Sequence, residues 1–204
     1  MKINKIVDKA YCINLERRSD RWLKVKNEFE LNDIDVYRFE ALDGQQFDKY
    51  PTLKRGAAAC LESHLSILKD AFDKNYEAVA IFEDDVFFVT DFEQKFETFY
   101  KQVPPDWQIL YLANNKDHAK IEKISENVEK VSRARSAHAF IIKKQAIKEA
   151  IKLISPGEKQ VDAYYGILQQ SFPSFCAVPS LAGQTPNYSD IENGFRDYNF
   201  IYKL

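Results

Sequence analysis

AVAIFEDD, residues 78–85, sets five apolar residues against three carboxylates with nothing between them. Ala78 to Phe82 shows no polar alternation, the pattern of a short strand covered on both faces, as in the parallel sheets of α/β proteins. The strand stops abruptly at Glu83-Asp84-Asp85. Three adjacent carboxylates at the end of a buried strand repel one another, which is costly unless cations, solvent or hydrogen bonds compensate. Oxygen ligands on a hard divalent ion, Mn²⁺ or Mg²⁺, supply that compensation and leave coordination positions open for substrate phosphates. A solvated turn with an acidic helix cap is the other reading of the triplet alone.

Outward from this stretch, strands and helices alternate. Upstream, Gly56 opens a helix with Leu61, Leu65, Leu68 and Phe72 on one stripe, and Ala57, Cys60, His64, Ile67 and Ala71 on the adjoining one. Val36 to Leu42 and Val7 to Leu15 read as strands. Between them Ser19 is an expected N-cap for a helix to about Leu31, carrying Trp22, Leu23, Val25 and Phe29. Downstream, Asp91 is the expected cap of a helix with Phe92, Phe96, Phe99 and Tyr100, and DWQILYLA (106–113) is a further buried strand. Residues Asn114 to Arg135 read as a loop with one short strand near Val128 to Val131. His138 to Ile142 is a strand, Lys144 to Ile154 and Val161 to Gln170 are helices, and Cys176 to Leu181 is the expected last strand.

This order predicts an α/β fold with a Rossmann-like, mostly parallel central sheet flanked by helices, in one domain over residues 1–204. The polar, aromatic stretch 182–204 is expected to be a mobile tail or lid, with Phe195, Tyr198, Phe200 and Tyr202 available for packing or for a partner. Ligands of such sheets bind beyond the carboxyl ends of the strands. The segments after Leu15, Phe82 and Ala113 should therefore meet in one crevice.

Composition narrows the function. The chain has 204 residues and a formal net charge of −2, which does not suit a nucleic-acid-gripping surface. No window approaches the ~20 apolar residues of a membrane span. Cys12, Cys60 and Cys176 are odd in number and lack CxxC spacing, which fits reduced, buried thiols in a soluble cytoplasmic protein.

Further candidate residues follow from their positions. In INLERRSDRW (13–22), Asn14 leaves a strand, and Arg17, Arg18 and Arg21 cluster at a helix start, where phosphate can be held. An exposed face with local ion pairs to Glu16 and Asp20 is the alternative. His64 sits beside the main apolar stripe, where a hydrogen-bonded core histidine is the commoner case. His138, on a strand, reads as structural rather than as a metal ligand. Asp162, in the first turn of a helix, either complements the helix dipole or serves as a general base for an acceptor hydroxyl.

Taken together, YCINLERRSDRW (11–22), GAAACLESHLSIL (56–68), AVAIFEDDVFF (78–88), VDAYYGIL (161–168) and PSLAGQTPNYSDI (179–191) resemble glycosyltransferase family 25 in motif and order. One departure is GAAACLESH, where the family usually has a second glycine nearer the cysteine. The resemblance implies a GT-A fold, a nucleotide-sugar donor with UDP as the expected nucleotide, and a DxD-like role for the acidic triplet. By position, Asp85 would bind Mn²⁺ or Mg²⁺, and Glu83 would approach the metal or the ribose beside Asp84. Asn14, Arg18 and Arg21 would hold the nucleotide, with His64 bordering the pocket, while Gln184 and Ser189 close over donor or acceptor. With Asp162 as base, the implied reaction is inverting hexosyl transfer to a lipopolysaccharide-like glycan hydroxyl.

Three other readings compete with this one. A protein hydroxylysine or a modified nucleobase would be a different acceptor for the same chemistry. A catalytically weak sugar-nucleotide or glycan binding module would keep the pocket without turnover. A two-metal hydrolase or nucleotidyltransferase would need a second carboxylate pair, and no other run of three carboxylates occurs in the sequence.

Overall fold

The computed structural model of the chain describes residues 1–116, 119–191 and 194–198. Its elements, in chain order, are β1 (Lys9–Leu15), α1 (Ser19–Leu31), β2 (Tyr37–Ala41), α2 (Arg55–Asp73), β3 (Ala78–Glu83), β4 (Val86–Phe88), α3 (Phe92–Gln102), β5 (Ile109–Tyr111), β6 (Lys120–Lys123) and β7 (Val128–Ser132). There follow β8 (Ala139–Lys143), α4 (Lys144–Ile154), α5 (Val161–Leu168), β9 (Ser174–Ala177), β10 (Ala182–Gln184), β11 (Asn187–Ser189) and β12 (Gly194–Arg196).

Eight strands form one sheet in the order β2-β1-β3-β8-β5-β9-β7-β6. β1 lies parallel to both β2 and β3, and β5 parallel to β9, whereas β8 and β7 run against their neighbours. Six of the eight strands thus point one way, with one reversed strand in the middle of the sheet.

The apolar run of β3 explains the layering. Val79 and Ile81 face a core with Leu61, Leu65 and Leu68 of α2, Ile147 and Ile154 of α4, and Tyr165 of α5. Ala78, Ala80 and Phe82 face the opposite core with Val25 and Phe29 of α1 and the Phe92, Phe96 and Phe99 ladder of α3. Alternate residues of one strand therefore fill two separate hydrophobic layers, which is why the sequence there lacks alternation.

Several expected details are corrected. Arg18, not Ser19, is the N-cap of α1, and Ser19 is already helical. Asp91 occupies the N-cap of α3 in a left-handed conformation (φ 59°) but makes no side-chain capping bond. Leu23 and Phe72 lie outside their helices' buried stripes, being exposed to solvent. The Asn114–Arg135 segment holds two strands, the β6–β7 hairpin, and every residue of β6 is exposed. The strand expected to be last ends at Ala177. Beyond it β10 pairs with β4, and β11 with β12. Ala182–Gln184 is thus buried sheet, and Asn187–Ser189 pairs with Gly194–Arg196. Phe195 is exposed, and Phe200 and Tyr202 lie outside the described residues.

Candidate active site

Because β1, β3 and β5 point the same way, the segments leaving Leu15, Glu83 and Tyr111 emerge on one side of the sheet. The reversed strand β8 begins there, so the residues that lead into it arrive on the same side. The result is a cavity of about 1310 Å³. Its walls come from Arg17, Arg18 and Arg21, from Cys60, Ser63 and His64 of α2, and from the acidic triplet. Arg135 to His138, Asp162, and the Gln184–Ile191 run complete them. The expected crevice is present, and the loop before β8 is an addition to it.

The triplet divides into two environments. Asp84 points into a buried network: Arg21 Nη1 donates to its Oδ1 at 2.7 Å and Asn14 Nδ2 to its Oδ2 at 2.6 Å. Asn14 in turn accepts from Arg38 Nε at 2.9 Å, and Arg21 Nη2 donates to the Tyr188 carbonyl at 2.6 Å. Asn14, Arg21 and Asp84, all expected to touch the nucleotide, are thus bonded to one another, tying β1, α1, the end of β3 and the terminal hairpin together.

Glu83 and Asp85 are half-buried at the cavity, and among the described residues neither is in salt-bridge contact with a cationic side chain. Their hydrogen-bond partner is the Gln184 amide, which donates to Asp85 Oδ1 at 3.2 Å and to Glu83 Oε2 at 3.4 Å. Burial, then the Asp84 charge, push the Asp85 carboxyl up to about 6. Burial, then Asp85 and Asp162, push Glu83 well above the usual carboxylate range. Gln184, expected to close over donor or acceptor, thus lies on the cavity wall beside the acidic triplet.

Asp162 opens α5 and borders the cavity, and the Ser136 N–H donates to its Oδ2 at 3.1 Å. Burial raises its pKa, partly offset by that backbone bond. His64 is fully buried. It stacks on Phe140, its Nδ1 lies 3.3 Å from the Tyr165 hydroxyl, and burial holds its pKa down to about 3. His138 is likewise buried and neutral at ordinary pH, pushed down to about 3 by burial.

Arg18, expected at the nucleotide, donates to Asp190 Oδ2 at 2.6 Å and to Asp20 Oδ1 at 3.0 Å. Arg17 bridges Asp43 at 2.6 Å and Asp190 at 2.8 Å. The basic cluster is thus paired both locally, as the alternative reading had it, and with the distant Asp190. Ser189 lies in β11 on the cavity wall. Asp190, Arg38 and Ser136 were missed by the sequence reading, because their partners are remote in the chain. Cys60 was missed although its spacing of four from His64 was visible.

The model of glycosyltransferase family 25 (LPS biosynthesis protein) matches residues 7–165 of the 204. An α/β fold with an acidic cleft at its strand ends is the class of protein described above, and this chain belongs to glycosyltransferase family 25.

Procollagen galactosyltransferase 2 of Mus musculus is 28% identical over 144 residues, 59% of this chain and 23% of that one. A probable inactive glycosyltransferase 25 family member 3 of Bos taurus is 25% identical over 143 residues, 59% of this chain and 24% of that one. The chain spans about a quarter of the length of these relatives. Among solved structures, a Drosophila β1,4-galactosyltransferase 7 mutant in complex with manganese, UDP-Gal and xylobiose is 9% identical. That likeness covers 93% of this chain and 75% of that one, with a TM-score of 0.48.

Proposed function

We propose that the chain is a metal-dependent glycosyltransferase that moves a hexose from a nucleotide-diphosphate sugar, UDP-linked, to an acceptor hydroxyl with inversion. The observation that carries this reading is the pair Glu83 and Asp85. They are two carboxylates of raised pKa facing a cavity, without a cationic partner among the described residues, inside a chain of this family. That donor set, all oxygen and short of positive charge, fits Mn²⁺ or Mg²⁺. When bound, such an ion neutralises charge on the departing diphosphate.

The chain's own residues do the rest. Asp85, with Glu83, holds the ion, and Gln184 keeps both carboxylates aimed into the cavity. Arg18 and Arg17 bring guanidinium groups to the cavity edge, where phosphate can replace part of the Asp190 pairing. Asn14, Arg21 and Asp84 act one layer back, fixing the floor on which the nucleotide rests. The acceptor oxygen attacks the anomeric carbon as the bond to the diphosphate breaks, and Asp162 takes the hydroxyl proton. Burial raises its pKa, which makes its carboxylate a stronger base than a solvated aspartate. Ser189 and the β11–β12 hairpin flank the cavity mouth and exclude water from the donor.

The acceptor we favour is a lipopolysaccharide-like glycan hydroxyl, in line with the family description. A hydroxylysine acceptor is the second reading, because the mouse relative is named a procollagen galactosyltransferase.

A thermal-shift panel of nucleoside diphosphates and nucleotide sugars, with and without Mn²⁺, tests the reading on wild type and Asp85→Ala. The expected result is stabilisation by one nucleotide that requires the ion and is absent from the variant. Absence of stabilisation by every nucleotide, in a folded protein, would favour the catalytically weak module.

A further inference from the structure

Beside the carboxylates lies a second group of ligating atoms. Cys60, His64 and Glu83 each offer one donor atom, and the three atoms lie within 4.8 Å of one another. Cys60 and His64 are one helical turn apart on α2, so both side chains leave the same face, and Glu83 closes the group from the end of β3. All three border the cavity.

His64 supplies an independent sign of a ligand. The residue is fully buried, yet its Nε2 has no hydrogen-bond partner among the described residues. A buried ring nitrogen left unsatisfied is costly and calls for an explanation. Its other nitrogen, Nδ1, lies 3.3 Å from the Tyr165 hydroxyl. With Nδ1–H donating to that oxygen, the Nε2 lone pair is left for a Lewis acid. A metal-binding histidine is ordinarily held this way, one nitrogen fixed by an outer partner and the other on the metal.

We propose that Cys60, His64 and Glu83 form a soft-metal site that binds Zn²⁺, separate in chemistry from the hard-ion pair of Asp85 and Glu83. One sulfur, one imidazole nitrogen and one carboxylate oxygen make a three-ligand set that leaves a fourth, tetrahedral position open to the cavity. A thiolate ligand selects Zn²⁺ over Mg²⁺ and Mn²⁺. On binding, the Cys60 S–H bond gives way to an S–Zn bond, and the proton goes to solvent. Glu83 belongs to both constellations, so zinc here withdraws one carboxylate from Asp85 and opposes the hard ion. That last consequence rests on the function proposed above, whereas zinc binding itself does not.

The test uses the intact chain and metal ions alone. Cys12 and Cys176 are fully buried, whereas Cys60 is partly exposed at the cavity and is the thiol a small alkylating reagent meets first. In wild type, Zn²⁺ is expected to slow alkylation of Cys60, with Mg²⁺ and Mn²⁺ giving no protection. Titration with Co²⁺ is expected to produce a thiolate-to-cobalt charge-transfer band. The band disappears in Cys60→Ser and persists in Asp85→Asn. Equilibrium dialysis is expected to show Zn²⁺ affinity lower by at least about 100-fold in Cys60→Ser, the upper end of what loss of an outer supporting contact costs. Unprotected alkylation in the presence of Zn²⁺, or a cobalt spectrum without the thiolate band, overturns the proposal. Both readings come from wild type, so the outcome does not depend on how well a variant folds. Either can fail while nucleotide binding at Asp85 stands.

Discussion

Asp85 and Asp84 are adjacent in the chain and opposite in circumstance. Asp84 has its charge matched by Arg21 and its oxygens filled, whereas Asp85 has an amide beside it, and burial, then the neighbouring carboxylate, raises its pKa to about 6. Relieving Asp85 should therefore stabilise the fold. In metal-free buffer Asp85→Asn is expected to be more stable than wild type by about 1–3 kcal/mol, in proportion to the relieved shift. It should no longer respond to Mn²⁺. Urea titration with and without the ion checks both halves. For the matched pair the sign reverses. Arg21→Met leaves Asp84 buried without its counter-charge, a loss of about 3–5 kcal/mol. Adding Asp84→Asn to that variant should recover part of the loss, a coupling that a double-mutant cycle measures directly.

At the scale of elements, what could be read in advance follows physical rules. The apolar run of β3 and the 3.6-residue stripes of α2 and α4 are local signals, and all three elements stand close to where they were expected. β8 also stands where it was read, but its reversal was invisible, since a strand buried on both faces has the same composition in either direction. β6 was missed because KIEK faces solvent throughout and carries no apolar period. The three-residue strands β4 and β10 exist only through their pairing with each other.

Gly56, at the start of α2, shows the same dependence on distant partners. A Cβ there would sit 2.8 Å from Ile191 Cα and 3.0 Å from the Asp190 carbonyl oxygen, and the Cβ of any residue at Gly44 would meet Gly56 itself. Backbone cannot yield as a side-chain tip does. Gly56→Ala is expected to cost about 1–3 kcal/mol and to push the β11–β12 hairpin outward. Faster proteolytic cleavage within residues 187–196, with α2 intact, is the outcome that checks it.

On the scale of the whole molecule, the candidate site divides along the line between local and remote information. Glu83 and Asp85 line the cavity from the end of β3 and Asp162 from the first turn of α5, whereas His64, Gln184 and Ser189, which also line it, had only the family resemblance to place them there. The role of the arginines was not recoverable from the sequence. Arg17 and Arg18 are engaged by Asp190, more than 170 residues away in the chain, and no local pattern announces such a pair. Asn14 and Arg21 were read as ligand contacts, yet their best-placed donors are already committed to Asp84. The terminal segment is thus fastened to the first helix, and the cavity is walled by both ends of the described chain.

Among the described residues no strand pairs with the outer side of β6, and an open backbone edge is a template on which a foreign strand can grow. Lys120 and Lys123 stand at the two ends of that strand, and every one of its residues faces water. Their like charges repel an identical edge brought alongside, at the end of the sheet far from the catalytic candidates. Replacing both lysines with valine is expected to leave monomer stability within about 0.5 kcal/mol while promoting concentration-dependent assembly. Light scattering across a dilution series would show it, and such a variant would separate self-association from every property of the cavity.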